Sequence, residues 1–239
     1  MNAITTWIPF TSFLVSIISA LFVLRRYLSR RGAHLLLWGV GLIFYGIGGF
    51  CEWYYGAFGW HPLVYRLWYL FGAILVAAWL GQGTVYLLAK RWLANVLMAL
   101  LVIGSVYGMI RVFGAQIDPG KMTTSVHTGS ELSGHAIVTD GVRALTPIFN
   151  AYGTLALVGG ATYSAWLFWR KRVLLHRTIG NIIIAVGAIL PAMGGSLSRF
   201  GLPNALYITE LLGAILIFIG FLRATTPMKD STVDAKESA

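Results

Sequence analysis

The sequence predicts an all-α integral membrane protein with seven transmembrane helices, and two observations carry this prediction. Hydrophobic residues make up 57% of the chain and charged residues 11%, whereas a soluble domain carries about 25% charged residues. A helix needs about 20 predominantly apolar residues to cross a bilayer. Seven stretches meet that requirement: 6–25, 35–56, 62–88, 93–113, 143–169, 179–199 and 204–223.

The basic residues predict the orientation of these helices. They cluster at alternate ends of the apolar stretches, and Lys and Arg are enriched in cytoplasmic loops. The predicted inner segments are 26–34, 89–92, 170–178 and the polar tail 225–239, which we predict to be disordered. We therefore predict a multi-pass protein of the cell membrane with its N-terminus outside and its C-terminus cytoplasmic. The net charge of +10 belongs to these loops and does not indicate nucleic-acid binding.

The N-terminal segment carries no basic residue before its apolar run. A cleavable signal peptide needs such a positive region, so none is predicted. The single cysteine, Cys51, excludes an internal disulfide and a cysteine-based zinc site.

Similar residues recur in the same order in the two halves of the chain. Gly48-Gly49 matches Gly194-Gly195, which follows 146 residues later. The tetrapeptide GAIL at 72–75 returns at 213–216, an offset of 141 residues. Matches at the same membrane depth predict two parallel three-helix units related by an axis along the membrane normal.

This repeat divides the predicted transmembrane domain into parts. The domain covers 1–224, with repeat units at about 6–88 and 143–223, a linker helix at 93–113 and an outer loop at 114–142. A flap over an outward-facing cavity would lie in that loop, although we expect a solvated loop without a ligand role.

The three-plus-one-plus-three layout resembles that of SWEET-type sugar facilitators and nicotinamide-riboside facilitators. The resemblance covers architecture only and implies a facilitative transporter. Separately, LWYLFGAILVAAWLGQGTVYLL, residues 67–88, is similar to the aromatic-rich spans of seven-helix sensor regions that precede bacterial histidine kinases. That second resemblance implies a receptor-like role.

Two acidic residues, Glu52 and Glu210, lie inside predicted spans. Ionisable groups within a membrane are costly and usually functional, with a partner nearby. We expect Glu52 to pair with Arg66 at a similar depth, and Glu210 to lie within reach of Arg199 or Arg66. Structural ion pairs that fix helix register remain an alternative to a binding site.

The predicted ligand-binding residues are Glu52, Arg66, Tyr69, Asn150, Arg199 and Glu210. Further aromatic residues could line the same pocket, namely Tyr45, Trp53, Tyr55, Tyr65, Trp68, Tyr107, Tyr152 and Tyr207. Aromatic residues near membrane interfaces also serve as interfacial anchors.

The positions of the lysine and histidine residues argue against two cofactors, covalent retinal and haem. Covalent retinal needs a lysine within the helix bundle, and haem needs axial ligands within the spans. Every lysine and histidine lies in a predicted loop or at a membrane surface. We therefore predict no cofactor.

A metal site is possible only outside the membrane. His127, Glu131 and His135 are spaced four residues apart, as helical metal ligands could be. Gly129 and Gly134 disfavour a helix there, so no metal site is expected.

Three functions follow from these observations. The favoured one is a non-catalytic, receptor-like protein with an outward-facing pocket for a small molecule or lipid, acting through a membrane or cytoplasmic partner. The alternatives are a facilitative transporter of small solutes and an accessory subunit of a larger membrane complex. No serine–histidine or paired-carboxylate arrangement stands out within the spans, so an enzyme is disfavoured.

Overall fold

The computed structural model describes residues 3–121, 132–170, 175–202 and 204–225. Within them the chain forms seven long helices and no β-strand. The helices are α1 (Ala3–Arg30), α2 (Ala33–Phe58), α3 (Pro62–Leu88), α4 (Arg91–Phe113), α5 (Val142–Arg170), α6 (Leu175–Arg199) and α7 (Ala205–Thr225). The prediction of an all-α fold is confirmed.

Five of these helices are long and apolar enough, over their described residues, to cross a bilayer. They are α1, α2, α3, α4 and α7, whereas α6 offers a shorter apolar stretch at Ile182–Gly195. Several such helices indicate a multi-pass membrane protein. The larger number of seven spans stays a prediction.

Short connections join α1 to α2, α2 to α3 and α3 to α4, and they make these neighbours antiparallel. Arg31, with φ of 50°, joins α1 to α2, and Gly59, with φ of 84°, ends α2. Pro62 then begins α3, a position where its missing N–H has no helical partner in any case. Between α6 and α7, Gly201 and Asn204 also have positive φ.

Six helices pack in a ring, and α4 lies outside it. Following the contacts around the ring gives the order α1, α2, α3, α5, α6, α7, with α7 returning to α1. Helix α4 packs mainly on α3 and only slightly on α5. Helix α4 therefore lies at the periphery, and the ring surrounds the centre of the bundle.

Helix α3 changes its hydrogen-bonding pattern where it faces the centre of the bundle. Pro62–Leu67 and Val76–Leu88 are α-helical, and Trp68–Leu75 between them is π-helical. The amide of Asn150, on α5, donates to the carbonyl oxygen of Ala73 in this stretch at 3.0 Å. π-helical segments occur frequently at functional sites because they displace side chains from the regular α-helical positions.

The segment between α4 and α5 packs against the start of α3. Ala115, Leu132 and Ala136 are buried in one apolar cluster with Tyr65 and other aromatic residues of α3. An isolated antiparallel bridge joins Ile117 to Ile137. The described residues 114–121 and 132–141 are therefore only partly solvated: Ala115, Leu132 and Ala136 are buried, whereas residues 119–121 and 140–141 are exposed. The absence of a ligand role stays a prediction.

Candidate functional site

Five helices of the ring enclose a cavity of about 280 Å³. Residues of α2, α3, α5, α6 and α7 line it, so both halves of the chain contribute. This volume lies just below the usual range for small-molecule sites, which runs from about 300 to 1,000 Å³. The cavity is the candidate site.

Glu52 lies in the wall that α2 contributes. Its side chain is 3% exposed, and its Oε1 accepts a hydrogen bond of 2.9 Å from the indole Nε1 of Trp68 on α3. Burying a carboxylate is costly unless hydrogen bonds compensate it. Trp68 therefore stabilises an acid that would otherwise be expensive at this depth.

Glu210 lines the same cavity from α7. The phenol of Tyr45, on α2, donates to the backbone carbonyl of Glu210 at 2.7 Å and ties the two helices together. The two intramembrane acids thus share one cavity, each contributed by a different half of the chain.

Helix α5 adds polar groups on a third side. Asn150 and Thr146 both line the cavity. The Thr146 hydroxyl donates to the hydroxyl of Tyr69 at 3.0 Å. Tyr69 itself is 3% exposed and packs against Gly134 of the outer segment, so it supports the wall without lining it.

Arg66 does not pair with Glu52, contrary to the prediction. Its guanidinium donates to the carbonyl of Ala115 at 3.0 Å, which fastens the segment between α4 and α5 to α3. The indole of Trp68, two residues further along α3, contacts Glu52 instead. Arg199 ends α6, but its side chain is outside the described part of the structure, and so is its predicted pairing with Glu210.

The floor of the cavity is apolar. Leu80, Leu157 and Ile217 line it. Each also belongs to a buried apolar cluster, which continues toward the side of the bundle where the last helix ends. Trp38 and Phe221 pack in this cluster, their rings edge to face. This cluster lies below the cavity in the centre of the ring, and it contains a smaller cavity of about 30 Å³ that is lined in part by Trp38, Leu80 and Phe221.

The proposed outer metal ligands are only partly described. His127 and Glu131 lie outside the described residues. His135 is described, and its Nδ1 lies 2.8 Å from the hydroxyl of Ser133. Among the described residues, no group of three or more His, Cys, Asp or Glu side chains could hold a metal ion.

Sequence reasoning found part of this site. Glu52, Asn150 and Glu210 line the cavity as predicted for a shared pocket, and so do Tyr45 and Trp68 of the wider aromatic set. It missed the small and hydroxyl residues Gly48, Gly72, Thr146, Gly153, Thr154 and Pro191. Such residues are common in every membrane helix, and nothing in their spacing marked these as lining a cavity.

No protein-family model, curated protein or solved structure matches this chain. The fold and the cavity define the class as a helical multi-pass membrane protein, and the resemblances to facilitators and sensor regions stay predictions.

Proposed function

We propose that this protein is a non-catalytic, seven-helix membrane receptor that binds a small molecule from the outer side. The observation that carries the proposal is the central cavity, into which Glu52 and Glu210 face from different halves of the chain. Charged groups at this depth are costly, so they are retained where they serve a ligand or a fixed partner. The response would pass to a partner protein in the membrane or cytoplasm.

The order of the ring supports a seven-span protein made of two parallel three-helix units. A two-fold axis through the cavity would exchange α1 with α5, α2 with α6 and α3 with α7. Under this exchange the contact between α3 and α5 becomes the contact between α7 and α1, and both contacts occur. Helix α4 has no counterpart and lies outside the ring, as a linker between parallel units would.

The close contacts within the two hairpins support the same symmetry. A Cβ placed on Gly41 of α2 would approach the backbone nitrogen of Leu80 to 3.1 Å. A Cβ on Gly187 of α6, 146 residues later, would approach the backbone nitrogen of Ile217 to 3.0 Å. Small residues at such positions let helix backbones approach closely within a membrane.

The apolar floor favours a receptor over a facilitator. A transporter needs its site to communicate with both sides of the membrane in turn. Here the cluster around Leu80, Leu157 and Ile217 leaves only a cavity of about 30 Å³ below the main one. Opening it would require several packed side chains to separate, whereas a receptor needs access from one side only.

A thermal-stability screen tests the binding proposal. The purified protein would be heated with a panel of sugars, nucleosides, amino acids, organic amines and organic carboxylates, since a ligand that binds the folded state raises its melting temperature. We expect at least one class of solute to stabilise the protein. The matched control is Ala192→Trp, which places a large side chain at the cavity wall and should abolish that stabilisation. A panel without effect, or stabilisation unchanged by Ala192→Trp, contradicts binding in this cavity.

An uptake experiment separates the receptor from the facilitator. Proteoliposomes containing the protein would be supplied with the stabilising solute in labelled form. The receptor proposal predicts binding without saturable uptake. Saturable uptake that Glu210→Gln removes would establish the facilitator instead.

A further inference from the structure

Arginines from different helices meet where α5 begins. Arg66 of α3 donates through its Nη2 to the carbonyl of Ala115 at 3.0 Å. The backbone N–H of the residue that follows donates to the hydroxyl of Thr139 at 2.9 Å, three residues before α5 begins. Arg111, near the end of α4, donates to the carbonyl of Asp140 at 2.7 Å. Both guanidinium groups are therefore held near the first turn of α5.

The packing of α3 on α5 brings a third arginine, Arg143, to the level of Arg66. Two hydrogen bonds join residues of these helices that lie 77 positions apart in the chain: Tyr69 with Thr146, and Ala73 with Asn150. This constant separation means that the two helices run parallel. Arg66 and Arg143 are also 77 positions apart, and each lies three residues before its helix makes the first of these bonds. Three residues are about one helical turn, so the two arginines lie at the same height.

The described part of the chain provides no carboxylate for these arginines. In residues 3–121, 132–170, 175–202 and 204–225, Arg66, Arg111 and Arg143 form no ion pair. The buried Nε of Arg66 has no hydrogen-bond partner there either. Like charges at one height repel each other. An anion placed between Arg66 and Arg143 would therefore stabilise both.

A phosphate group suits this position. A guanidinium offers five N–H donors, of which the described contacts of Arg66 use one. Arginine forms paired hydrogen bonds to phosphate oxygens. Basic pockets between transmembrane helices bind the head groups of phospholipids.

The surface below Arg143 favours a lipid as the source of that phosphate. Arg143 is exposed, and the exposed residues that follow it on α5 are Pro147, Ile148, Ala151 and Leu155. Ile148 is 63% exposed and Leu155 76%. This apolar strip faces away from the bundle, where a multi-pass protein meets acyl chains. A phospholipid carries its phosphate next to its acyl chains, which is the order of the arginines and the apolar strip along α5.

We propose that Arg66 and Arg143 bind the phosphate of a membrane phospholipid whose acyl chains lie on the apolar strip of α5. In the predicted orientation this is a lipid of the outer leaflet. Arg111 adds positive charge beside the phosphate. None of the three arginines lines the central cavity, so this inference is independent of the proposed binding function.

Three related probes test the site. Dioctanoyl phosphatidate carries both a phosphate and acyl chains, dioctanoylglycerol lacks the phosphate, and glycerol 3-phosphate lacks the chains. Each would be titrated against the full-length protein in an uncharged detergent, and native mass spectrometry would measure the bound fraction. We expect phosphatidate to bind at least about tenfold more tightly than either fragment, the usual effect of a hydrogen bond between charged groups.

Arg143→Gln is the main variant, because Arg143 is exposed and its loss should leave the fold intact. We expect it to weaken phosphatidate binding about tenfold, and Arg66→Gln to do the same. Lys121→Gln is the matched control: it also removes one exposed cation, but from the segment between α4 and α5. It should leave the affinity unchanged. If Arg66→Gln fails to fold without its contact to Ala115, Arg143→Gln still decides.

Several results would overturn this inference. Equal binding of dioctanoylglycerol would show that the phosphate is not recognised, and equal binding of glycerol 3-phosphate would show a site for soluble phosphates rather than for a lipid. A loss in Lys121→Gln as large as in Arg143→Gln would reduce the effect to net charge. Absence of phosphatidate binding would also contradict the site. None of these results bears on the central cavity, which the solute screen with Ala192→Trp tests separately.

Discussion

Trp68 of α3 and Glu52 of α2 form a hydrogen bond of 2.9 Å at the wall of the central cavity. Trp68 is the first residue of the π-helical stretch Trp68–Leu75. The local change in helix type therefore begins at the residue that holds the buried acid. The course of α3 at this point therefore determines where the hydrogen-bond donor to the Glu52 carboxylate lies.

Trp68→Phe should destabilise the protein. The change removes the indole donor and leaves a buried carboxylate with one hydrogen bond fewer, which costs about 1–3 kcal/mol. The matched control is Trp79→Phe, which removes a bond of 3.2 Å to the neutral hydroxyl of Ser105 and should cost about 0.5–1.5 kcal/mol. Thermal unfolding in detergent measures both changes. An equal or larger loss in Trp79→Phe would contradict the importance of the Glu52 contact.

Glu52 and Arg66 should contribute to stability independently. The Arg66 guanidinium binds the carbonyl of Ala115 rather than the carboxylate, and residues without a shared contact usually show additive effects within about 0.3–0.5 kcal/mol. A double-mutant cycle with Glu52→Gln and Arg66→Gln measures the coupling. A coupling energy above about 1 kcal/mol would contradict this and would support the ion pair that the sequence predicted.

Gly153 should not tolerate alanine. A Cβ at this position would collide with the backbone of Ala77, where α5 crosses α3. Gly159 lies on the same helix with no atom within 4 Å of a Cβ, so Gly159→Ala is the matched control. Alanine is intrinsically favoured over glycine in helices by about 0.5–1 kcal/mol.

We therefore expect Gly159→Ala to be neutral or stabilising and Gly153→Ala to lower the melting temperature or prevent folding. Size-exclusion profiles and thermal unfolding of the two variants measure the difference. Similar behaviour of the two would show that α3 and α5 do not approach as closely as described.

Tyr152→Phe should weaken the packing of α4 and α5 on α3. Gln82 is fully buried; its amide donates to the carbonyl of Ala94 at 2.8 Å, and its oxygen accepts from the Tyr152 hydroxyl. Removing that hydroxyl leaves a buried acceptor short of a partner, at a cost of about 1–3 kcal/mol. Tyr163 is 52% exposed on the same helix, so Tyr163→Phe should change stability by less than about 0.5 kcal/mol. Thermal unfolding compares the two, and equal losses would contradict the buried network.

The sequence identified the two acids of the cavity but assigned Glu52 the wrong partner. Apolar composition and the cost of intramembrane charge marked Glu52 and Glu210 without any structure. The choice between Arg66 and Trp68 as the neighbour of Glu52 depends on the rotation of α3. The π-helical stretch alters that rotation, and the hydrophobic pattern of an all-apolar helix does not reveal it.

The register of the predicted internal repeat was also beyond what the sequence could give. Equal contacts in the two hairpins place Leu80 opposite Gly41 and Ile217 opposite Gly187. The recurring GAIL tetrapeptide would instead equate Leu80 with Phe221, four residues further along α7. The difference is about one helical turn. Glycine, alanine and leucine recur often in membrane helices. Matching them therefore shows which helices and which helix faces correspond in the two halves, but not which individual residues do.

The central claim is that the cavity between the two three-helix units is open to water from the N-terminal side alone. Cys51 is 1% exposed and would be replaced by alanine, which leaves a background without cysteine. Thr154→Cys then places a thiol at the cavity, and Thr162→Cys places one on the exposed outer surface of the same helix.

A membrane-impermeant, cationic methanethiosulfonate reagent would be added to sealed vesicles of either orientation. We predict rapid modification of Thr154→Cys from the N-terminal side, none from the C-terminal side, and little reaction of Thr162→Cys in contact with lipid. Modification of Thr154→Cys only from the C-terminal side, equally from both sides, or not at all would contradict the account.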